Sequence, residues 1–335
     1  MKSLIRKLTS TYGPSGRETA VREIVAAEIR DHVQSIEISP MGSLHAVVNR
    51  GGKKKVMLAA QMDEIGIVIS YVDQQGHARF HLMGDVDLGM LHGHGVRFPG
   101  DIVGVFGLDP GWSEGKELSA ADFRIDFGAD NKGSCPVHVG DFGVFERPFL
   151  DLGERLVAKG LGGRIGAVIL VEVIRQISET PHELQFAFTV QEEVGRRGAS
   201  TSAYMLAPEV AIAVGATAAG DSPGKGRTEV VLLGQGPAIR VWDLRMLPDR
   251  RLVRHIVDVA CQTGITHQMD ALPTADADDP SLRATRAGAC CGRISVPVRY
   301  LHTPSEMVDY RDVDEAVRLV VELTKRTLDV TEGED

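Results

Sequence analysis

Strand and helix patterns alternate at both ends of this 335-residue chain, whereas its middle has a different character. Val56 to Ala60 is a continuous apolar run, which is typical of a strand covered on both faces. From Arg164 onwards apolar residues recur at helical spacing, and strands and helices then follow one another. Residues 70–150 are rich in glycine and show little helical periodicity. We therefore predict one α/β domain, residues 1–69 and 151–335, with an inserted small β domain at residues 70–150.

The two ends of the chain carry local helix signals. A short helix is predicted at residues 2–11, broken at Tyr12-Gly13-Pro14. Ser15-Gly16-Arg17-Glu18 is typical of a capping box, in which the serine and the glutamate satisfy free N–H groups of a following helix. The last helix is predicted to begin near Asp312, where an acidic first turn favours the helix dipole.

Composition excludes several classes of partner. The net charge is −9 with both signs interspersed, so there is no basic footprint for nucleic acid. No apolar run reaches the roughly 18 residues that span a bilayer, and the N-terminus lacks the apolar core of a signal peptide. We therefore expect a cytoplasmic protein without membrane or nucleic-acid partners. The cysteines show no CxxC spacing, and we expect the adjacent Cys290 and Cys291 to be buried reduced thiols.

Polar residues follow two buried strands at the point where each strand ends. Gln61-Met62-Asp63 comes just past the run at 56–60, and Glu192-Glu193 comes just past the predicted strand at 184–190. Open α/β sheets place their ligand sites at this edge. A turn there lets both glutamates address one site, where one can bind a metal and the other can move a proton. From these residues alone, a solvated glutamate pair at a helix start is an equally open interpretation.

Four longer motifs occur in order along the chain, at Ala59–Gly66, Gln191–Ala199, Ala219–Gly224 and Arg299–Glu306. Together they resemble the TET-type metallo-aminopeptidase family, which includes glutamyl and deblocking aminopeptidases. The resemblance implies a zinc-peptidase α/β domain with an inserted PDZ-like domain used in oligomerisation. It also implies removal of N-terminal residues from peptides at two bridged metal ions, often Zn or Co, within hollow dodecamers.

The resemblance assigns roles to four residues of the chain. Glu192 matches the general base that activates a metal-bound water. Glu193 and His302 match metal ligands. Asp63 matches the carboxylate that orients a histidine ligand.

Three further ligand positions depart from the family pattern. The first histidine ligand is Gln61 here, the bridging aspartate is Gly162, and the remaining aspartate is Gly215. A glycine has no side-chain donor, and a glutamine offers only a neutral amide oxygen. Losing a group that merely orients a ligand costs roughly 10–100-fold in metal affinity or activity, so losing three ligands costs far more. We expect either no metal or one weakly held divalent ion, Zn or Co.

Two functions therefore stay open. In the first, the protein is a catalytically impaired or inactive homologue that serves as a binding, structural or regulatory protein for peptide N-termini or an active relative, and Glu193 and His302 pair with each other. In the second, it is an active hydrolase with a one-metal or metal-free site that uses Glu192 as general base, with Gln61 as a candidate third ligand. Both interpretations include a peptide-like ligand and a homo-oligomer, from dimer to dodecamer by resemblance.

Other candidate side chains have weaker support. His92 and His94 match no motif, and we expect them on a loop or the surface. His267 lies in a family-like stretch, where a local hydrogen bond is favoured over a role near a neighbouring subunit's site. Asp276 and Asp278 fall in a stretch that corresponds to part of the family's substrate pocket.

Overall fold

The computed structural model describes residues 1–112, 116–221, 231–244, 246–271, 282 and 285–328. The strands in these ranges are β1 (Ser35–Ile38), β2 (Leu44–Val48), β3 (Lys55–Gln61), β4 (Gly66–Val72), β5 (Ala78–Met83), β6 (Gly95–Phe98), β7 (Ile102–Leu108), β8 (Phe123–Asp126), β9 (Phe142–Glu146), β10 (Leu150–Asp151), β11 (Arg155–Ala158), β12 (Glu183–Thr189), β13 (Val210–Ala218), β14 (Ala238–Trp242), β15 (Gln268–Ala271), β16 (Cys290–Arg299) and β17 (Glu306–Asp309). Eleven of these described strands form one mixed sheet, in the order β1-β2-β12-β3-β13-β16-β17-β11-β10, with β14 paired to β16 and β15 to β14.

The centre of this sheet is a parallel block made of β12, β3, β13 and β16. Their register pairs Thr189 with Gln61, and Gly215 with Ser295. Because Ala59 pairs with Ala213 on the neighbouring strand, residues 61 and 215 lie at the same height. The predicted ligand positions 61 and 215 therefore meet at the carboxyl edge of parallel strands, where open α/β sheets bind ligands.

Helices cover both faces of the sheet. Those with described bounds are α1 (Lys2–Ser10), α2 (Thr19–Ile29), α3 (Leu161–Gln176), α4 (Arg197–Leu206), α5 (Arg250–Thr263) and α6 (Tyr310–Thr324). On β3, Val56 and Leu58 share one core with α1, α2, α3, α5 and α6, whereas Met57 and Ala59 pack with α4. The predicted strand covered on both faces is thus confirmed. Among the described residues, no helix is both long and apolar enough to cross a bilayer.

The strands β4, β5, β8, β7, β6 and β9 close into a small barrel in that order. Its interior is a separate core, in which the rings of Phe80 and Phe106 meet edge to face with centroids 5.1 Å apart. The first barrel strand begins at Gly66, so it crosses the predicted boundary at residue 70. The reason is the alternation along β4, which turns Ile67 and Ile69 into the barrel core.

The predicted capping box at Ser15–Glu18 is wrong. Helix α2 begins at Thr19, and no side chain caps its first N–H groups. Ser15 Oγ instead donates to Asp63 Oδ2 at 2.6 Å, and Glu18 Oε1 accepts the N–H of Gln191 at 3.0 Å. A hydroxyl makes a stronger hydrogen bond to a carboxylate than to a neutral acceptor. Ser15 and Glu18 therefore both bond to the loops of the candidate site rather than to the start of α2.

The last helix begins two residues before the predicted start. Asp309 is its N-cap and accepts the N–H of Arg311 at 2.8 Å. The carboxylate of Asp312 is buried and accepts the N–H groups of Gly234 and Gly236 at 2.7 and 2.8 Å. This first-turn acid therefore anchors a neighbouring loop in addition to its place at the positive end of the helix dipole.

Candidate functional site

A small pocket lies at the carboxyl edge of the central parallel strands. Its wall includes residues from five of the seven predicted site positions: Gln61, Gly162, Glu192, Glu193 and His302. Asp63 lies fully buried behind the pocket, and Gly215 is adjacent to the wall residue Ala216. The cavity volume is about 30 Å³, which exceeds the roughly 10–15 Å³ needed to hold one water molecule. The pocket therefore accommodates a small ion or a single functional group of a larger ligand.

The turn that follows β12 directs both adjacent glutamates into this pocket. Gln191 adopts a left-handed conformation with φ 56°, and the N–H groups of Gly195 and Arg196 donate to the carbonyl of Glu192 at 3.0 and 2.9 Å. This tight turn brings Glu192 and Glu193 to the same pocket. The side chain of Glu192 also pairs with Arg196, whose Nε lies 3.2 Å from Oε1.

Asp63 holds this turn from behind. Its carboxylate accepts the N–H of Glu192 at 3.2 Å, the N–H of Glu193 at 3.1 Å and the hydroxyl of Ser15 at 2.6 Å. Burial raises the pKa of Asp63, while these donors act in the opposite direction. The structure therefore places Asp63 where it fixes the backbone that carries both glutamates.

Gln61 is bonded to the predicted metal ligand Glu193. Its Nε2 donates to Glu193 Oε1 at 3.0 Å, so the amide presents a donor to this carboxylate. Burial, followed by the nearby carboxylates of Glu192, Asp63 and Glu306, raises the pKa of Glu193 well above its ordinary value. The Gln61 bond opposes this rise. Negative charge thus accumulates around Glu193.

His302 is held by the barrel and by β17 rather than by Glu193. Its Nδ1 lies 3.4 Å from a carboxylate oxygen of Asp85, which is in the loop after β5. Its backbone has φ 66°, its N–H donates to Glu306 Oε1 at 3.0 Å, and its carbonyl accepts the N–H of Asp87 at 3.1 Å. Glu193 and His302 do not meet among the described contacts, so the predicted pair is wrong. Glu193 accepts the amide of Gln61 instead, and His302 Nδ1 lies beside the carboxylate of Asp85.

A neighbouring side chain fills the space beside Gly162. A Cβ atom at this position would lie 2.5 Å from Leu301 Cδ1 and 2.9 Å from Glu306 Oε1. Glu306 is buried, and its Oε2 accepts the N–H of Gly162 at 2.8 Å in the first turn of α3. Burial is the main cause that raises the pKa of Glu306 to about 7. A different carboxylate therefore occupies the place next to position 162.

A guanidinium lies beside Gly215. A Cβ atom there would lie 3.5 Å from Arg293 Nη2, at ordinary contact distance. Arg293 is 2% exposed; its Nε donates to Ser295 Oγ at 2.6 Å and its Nη2 to the carbonyl of Ala216 at 2.5 Å. A positive charge of the chain itself thus stands next to the third altered ligand position.

These residues do not fit the two-metal centre that the resemblance implies. Position 61 presents an amide N–H to Glu193, the space at position 162 is filled, and a cation adjoins position 215. Within the described ranges, no group of three or more His, Cys, Asp or Glu side chains is arranged to hold a metal ion. A catalytic zinc site uses three protein ligands.

The weaker candidates lie elsewhere. His92 is exposed on the barrel, and its Nδ1 accepts the N–H of Leu108 at 3.3 Å. His267 makes the expected local hydrogen bond, with Nδ1 3.1 Å from the carbonyl of Ile265. The remaining candidates are placed as follows: His94 is half-buried, Cys291 is buried, Cys290 is partly buried, and Asp276 and Asp278 lie outside the described residues.

Sequence reasoning missed three side chains around the pocket: Glu306, Arg293 and Asp85. Glu306 lies within the last of the four motifs but had no role assigned to it. Arg293 is the single charged residue inside the run at 290–298, and a lone arginine in a buried strand signals a specific partner. Asp85 had no signal, because its proximity to His302 depends on how the barrel sits on the sheet.

Comparisons with known proteins agree with the fold and the motifs. The family profile described as M42 glutamyl aminopeptidase matches residues 42–319. A putative aminopeptidase of Acetivibrio thermocellus is 36% identical over 96% of this chain and 98% of its own. The solved structure of an aminopeptidase from the archaeon Desulfurococcus kamchatkensis superposes with a TM-score of 0.92 at 33% identity, covering 97% of this chain and 94% of its own.

A further solved structure bears on assembly. The TET1 peptidase of Pyrococcus horikoshii, which can assemble into a tetrahedron or a large octahedral shell, superposes with a TM-score of 0.87 at 30% identity, covering 97% of this chain and 99% of its own. The predicted resemblance to TET-type aminopeptidases is confirmed. This chain belongs to the M42 glutamyl aminopeptidase family.

Proposed function

We propose that this protein uses the aminopeptidase fold to bind the free amino terminus of peptides and does not catalyse two-metal hydrolysis. The observation that carries this proposal is that position 162 in the pocket wall has no carboxylate, while the ends of the Leu301 and Glu306 side chains lie 2.5 and 2.9 Å from the position of a Cβ atom there. An aspartate at this position is the group that bridges two metals in the family pattern. Without it, two dications in one pocket repel each other with less compensation.

The charges around the pocket support an ammonium ligand. Burial raises the pKa of both Glu193 and Glu306, and neighbouring carboxylates raise the pKa of Glu193 further. A cation close to such groups favours their ionised forms, so binding a cation is favourable there. A primary ammonium group also has three N–H donors for carboxylate oxygens. It is of the right order of size for a cavity of about 30 Å³.

Metal content and turnover test the loss of two-metal chemistry. The protein is purified without chelator, and Zn, Co and Mn are measured by elemental analysis. Turnover of aminoacyl-p-nitroanilides is followed with and without added metal, with the Pyrococcus horikoshii TET1 peptidase as positive control. We expect well under one metal ion per chain and no turnover. Stoichiometric metal, or metal-dependent turnover, would overturn the proposal.

The alternative function has its own outcome in the same assay. Turnover without metal that disappears in E192Q would establish a metal-free hydrolase with Glu192 as general base. The ion pair between Glu192 and Arg196 favours the binding function, because it engages Oε1 of the carboxylate that would have to take a proton. Isothermal titration with isopropylamine tests the binding function directly, and saturable binding at a single site is expected.

We further propose that the barrel is a PDZ-like module used in homo-oligomerisation. The similarity to the Pyrococcus horikoshii TET1 peptidase supports an assembly larger than a dimer. Light scattering of the whole chain distinguishes a monomer, a dimer and a dodecamer. A monomer at micromolar concentration would contradict this part of the proposal.

A further inference from the structure

An apolar groove lies outside the candidate site, between the turn that joins β1 to β2 and one face of α4. Pro40 and Met41 form one wall, and Thr201, Tyr204 and Met205 form the other. Residues three and four apart on a helix share a face, so the α4 side chains stand next to one another. The groove has a volume of about 340 Å³, within the range of small-molecule binding sites, roughly 300–1,000 Å³. It is therefore large enough for a small organic ligand.

The hydroxyl groups in the walls bond to the backbone of the chain itself. Ser39 Oγ accepts the N–H of Ser43 at 3.1 Å, and Thr201 Oγ1 donates to the carbonyl of Arg197 at 3.1 Å. The surface that faces the groove is therefore almost entirely apolar. The two methionine side chains in the walls are flexible and polarizable, so they can adapt to the shape of a ligand.

The groove is open to solvent although its walls are apolar. Tyr204 is 63% exposed and Met205 is 42% exposed. A single exposed apolar side chain needs no explanation, but several grouped at one concave place mark a binding site. The groove is therefore a candidate site for a ligand with an apolar body.

A guanidinium lies at the edge of the groove. The guanidinium carbon of Arg286 is 4.6 Å from the centre of the Tyr204 ring, and its Nε donates to the Tyr204 carbonyl at 2.9 Å. This carbonyl belongs to the last turn of α4, where carbonyl groups have no partner within the helix. Arg286 is exposed, and among the described contacts neither of its Nη groups has a hydrogen-bond or ion-pair partner. The guanidinium thus has donors left that match a carboxylate.

The charge at the groove is opposite to that of the protein as a whole. The chain has a net charge of −9, but the described residues that line the groove include no acidic side chain. Arg197 is exposed one turn before Thr201 on the same face of α4, so a second cation lies close to the groove. A ligand with an apolar body and an anionic end complements this arrangement.

We propose that this groove binds an aliphatic carboxylate of the fatty-acid class. The alkyl chain lies against Met41, Tyr204 and Met205, and the carboxylate binds the Nη groups of Arg286. The groove and the pocket at the carboxyl edge of the sheet share no lining residue. This inference is therefore independent of the proposed function and can fail or succeed without it.

The first test compares ligands that differ in chain length or in charge. Dissociation constants of octanoate, decanoate and decanol are measured by titration calorimetry on the whole chain, below the concentration at which the ligands form micelles. Burial of one methylene group corresponds to about fourfold in affinity. We expect decanoate to bind at one site per chain and at least about fourfold more tightly than octanoate, since part of the added length stays exposed.

Three variants locate the ligand. Arg286→Gln keeps a donor for the Tyr204 carbonyl but loses the charge, and it should weaken decanoate by about two- to fivefold, as expected for an exposed ion pair, without changing decanol. Arg250→Gln, at an exposed arginine in the first turn of α5, is the matched control and should change neither ligand. Ser200 lines the groove and is exposed, so Ser200→Phe fills the groove and should abolish binding of both ligands.

The other occupants of the groove have their own outcomes. Absence of decanoate binding overturns the proposal; if Ser200→Phe then also reduces the size of the assembly in light scattering, a second copy of the chain covers the groove instead. Equal weakening of decanoate by Arg286→Gln and Arg250→Gln, or none by either, refutes the role of Arg286. Unchanged binding in Ser200→Phe shows that the carboxylate binds elsewhere.

Discussion

Gly162→Asp places an aspartate at the position of the bridging ligand in the family pattern, but we expect this substitution to destabilise the protein. A Cβ atom at residue 162 would approach Leu301 Cδ1 to 2.5 Å and Glu306 Oε1 to 2.9 Å. Real Cβ contacts are longer, so the ends of both side chains must move. Overpacking of this kind costs about 1–3 kcal/mol in the free energy of unfolding.

The new carboxylate also brings a charge next to Glu306. Two carboxylates about 4 Å apart repel each other by roughly 4 kcal/mol at an effective dielectric constant near 20. A proton on either group removes this repulsion. Because burial raises the pKa of Glu306 to about 7, Glu306 holds its proton below that pH and loses it above. The charge cost of Gly162→Asp is therefore small in mild acid and large in mild base.

Urea unfolding at about pH 6 and about pH 8.5 separates the two costs. Gly162→Ala and Gly162→Asn serve as controls of size without charge, and we expect each to lose about 1–3 kcal/mol at both pH values. Gly162→Asp should resemble Asn at the lower pH and lose about 2 kcal/mol more at the higher pH, since taking up a proton about 1.5 pH units above a pKa of about 7 costs no more than this. The reasoning is refuted if Gly162→Asp is as stable as the unaltered protein at both pH values, or if this single change produces stoichiometric zinc binding.

The remaining predictions concern groups that surround the same pocket. Ser15→Ala removes a buried hydrogen bond to a carboxylate and should cost about 1.5–3 kcal/mol in urea unfolding, whereas Ser200→Ala, at an exposed serine, should change stability by less than about 0.5 kcal/mol. Gly84→Ala should destabilise the protein more than Gly93→Ala in the same assay. Both glycines have positive φ, but only a Cβ at Gly84 would lie 2.6 Å from Glu193 Oε2. Equal losses of stability in the two variants would contradict this prediction. Since the folded pKa of Glu306 is raised from 4.5 to about 7, its stabilising contribution is complete below the unfolded value and declines by about 3 kcal/mol as pH rises through that interval. Glu306→Gln should flatten this slope, and an unchanged slope would assign it to other groups.

Local pattern was enough to predict the framework and the edge that carries the site. The run at 56–60 became β3, and the strand predicted at 184–190 became β12. The carboxyl ends of parallel strands converge by geometry, so Gln61 and the Glu192-Glu193 pair could be assigned to one site before any coordinates. Apolar periodicity carries this information because it reflects which face of each element is buried.

The partners of individual polar groups could not be predicted in the same way. The capping role predicted for Ser15 was wrong because the charged Asp63 lies nearby, and a bond to a carboxylate is stronger than a bond to a neutral group. The occupant of the space beside Gly162 is distant in sequence, since Glu306 lies 144 residues away. Sequence alone predicts which ligand is missing, but tertiary packing decides what stands in its place.

The compensation of charge links these separate observations. On the proposed function, a pocket that no longer holds two dications has an excess of buried negative charge, and such charge must be paired, bonded to donors or neutralised by protons. All three responses occur here: Glu192 pairs with Arg196, Glu193 accepts the amide of Gln61, and Glu306 accepts two backbone N–H groups with its pKa raised to about 7. Each response uses a different residue, so reverting one ligand position leaves the others in place. Restoring metal affinity therefore requires new ligands at positions 61, 162 and 215 together, with a shift of the ends of the Leu301 and Glu306 side chains beside position 162, and any single reversion should fail to bind two zinc ions in titration calorimetry.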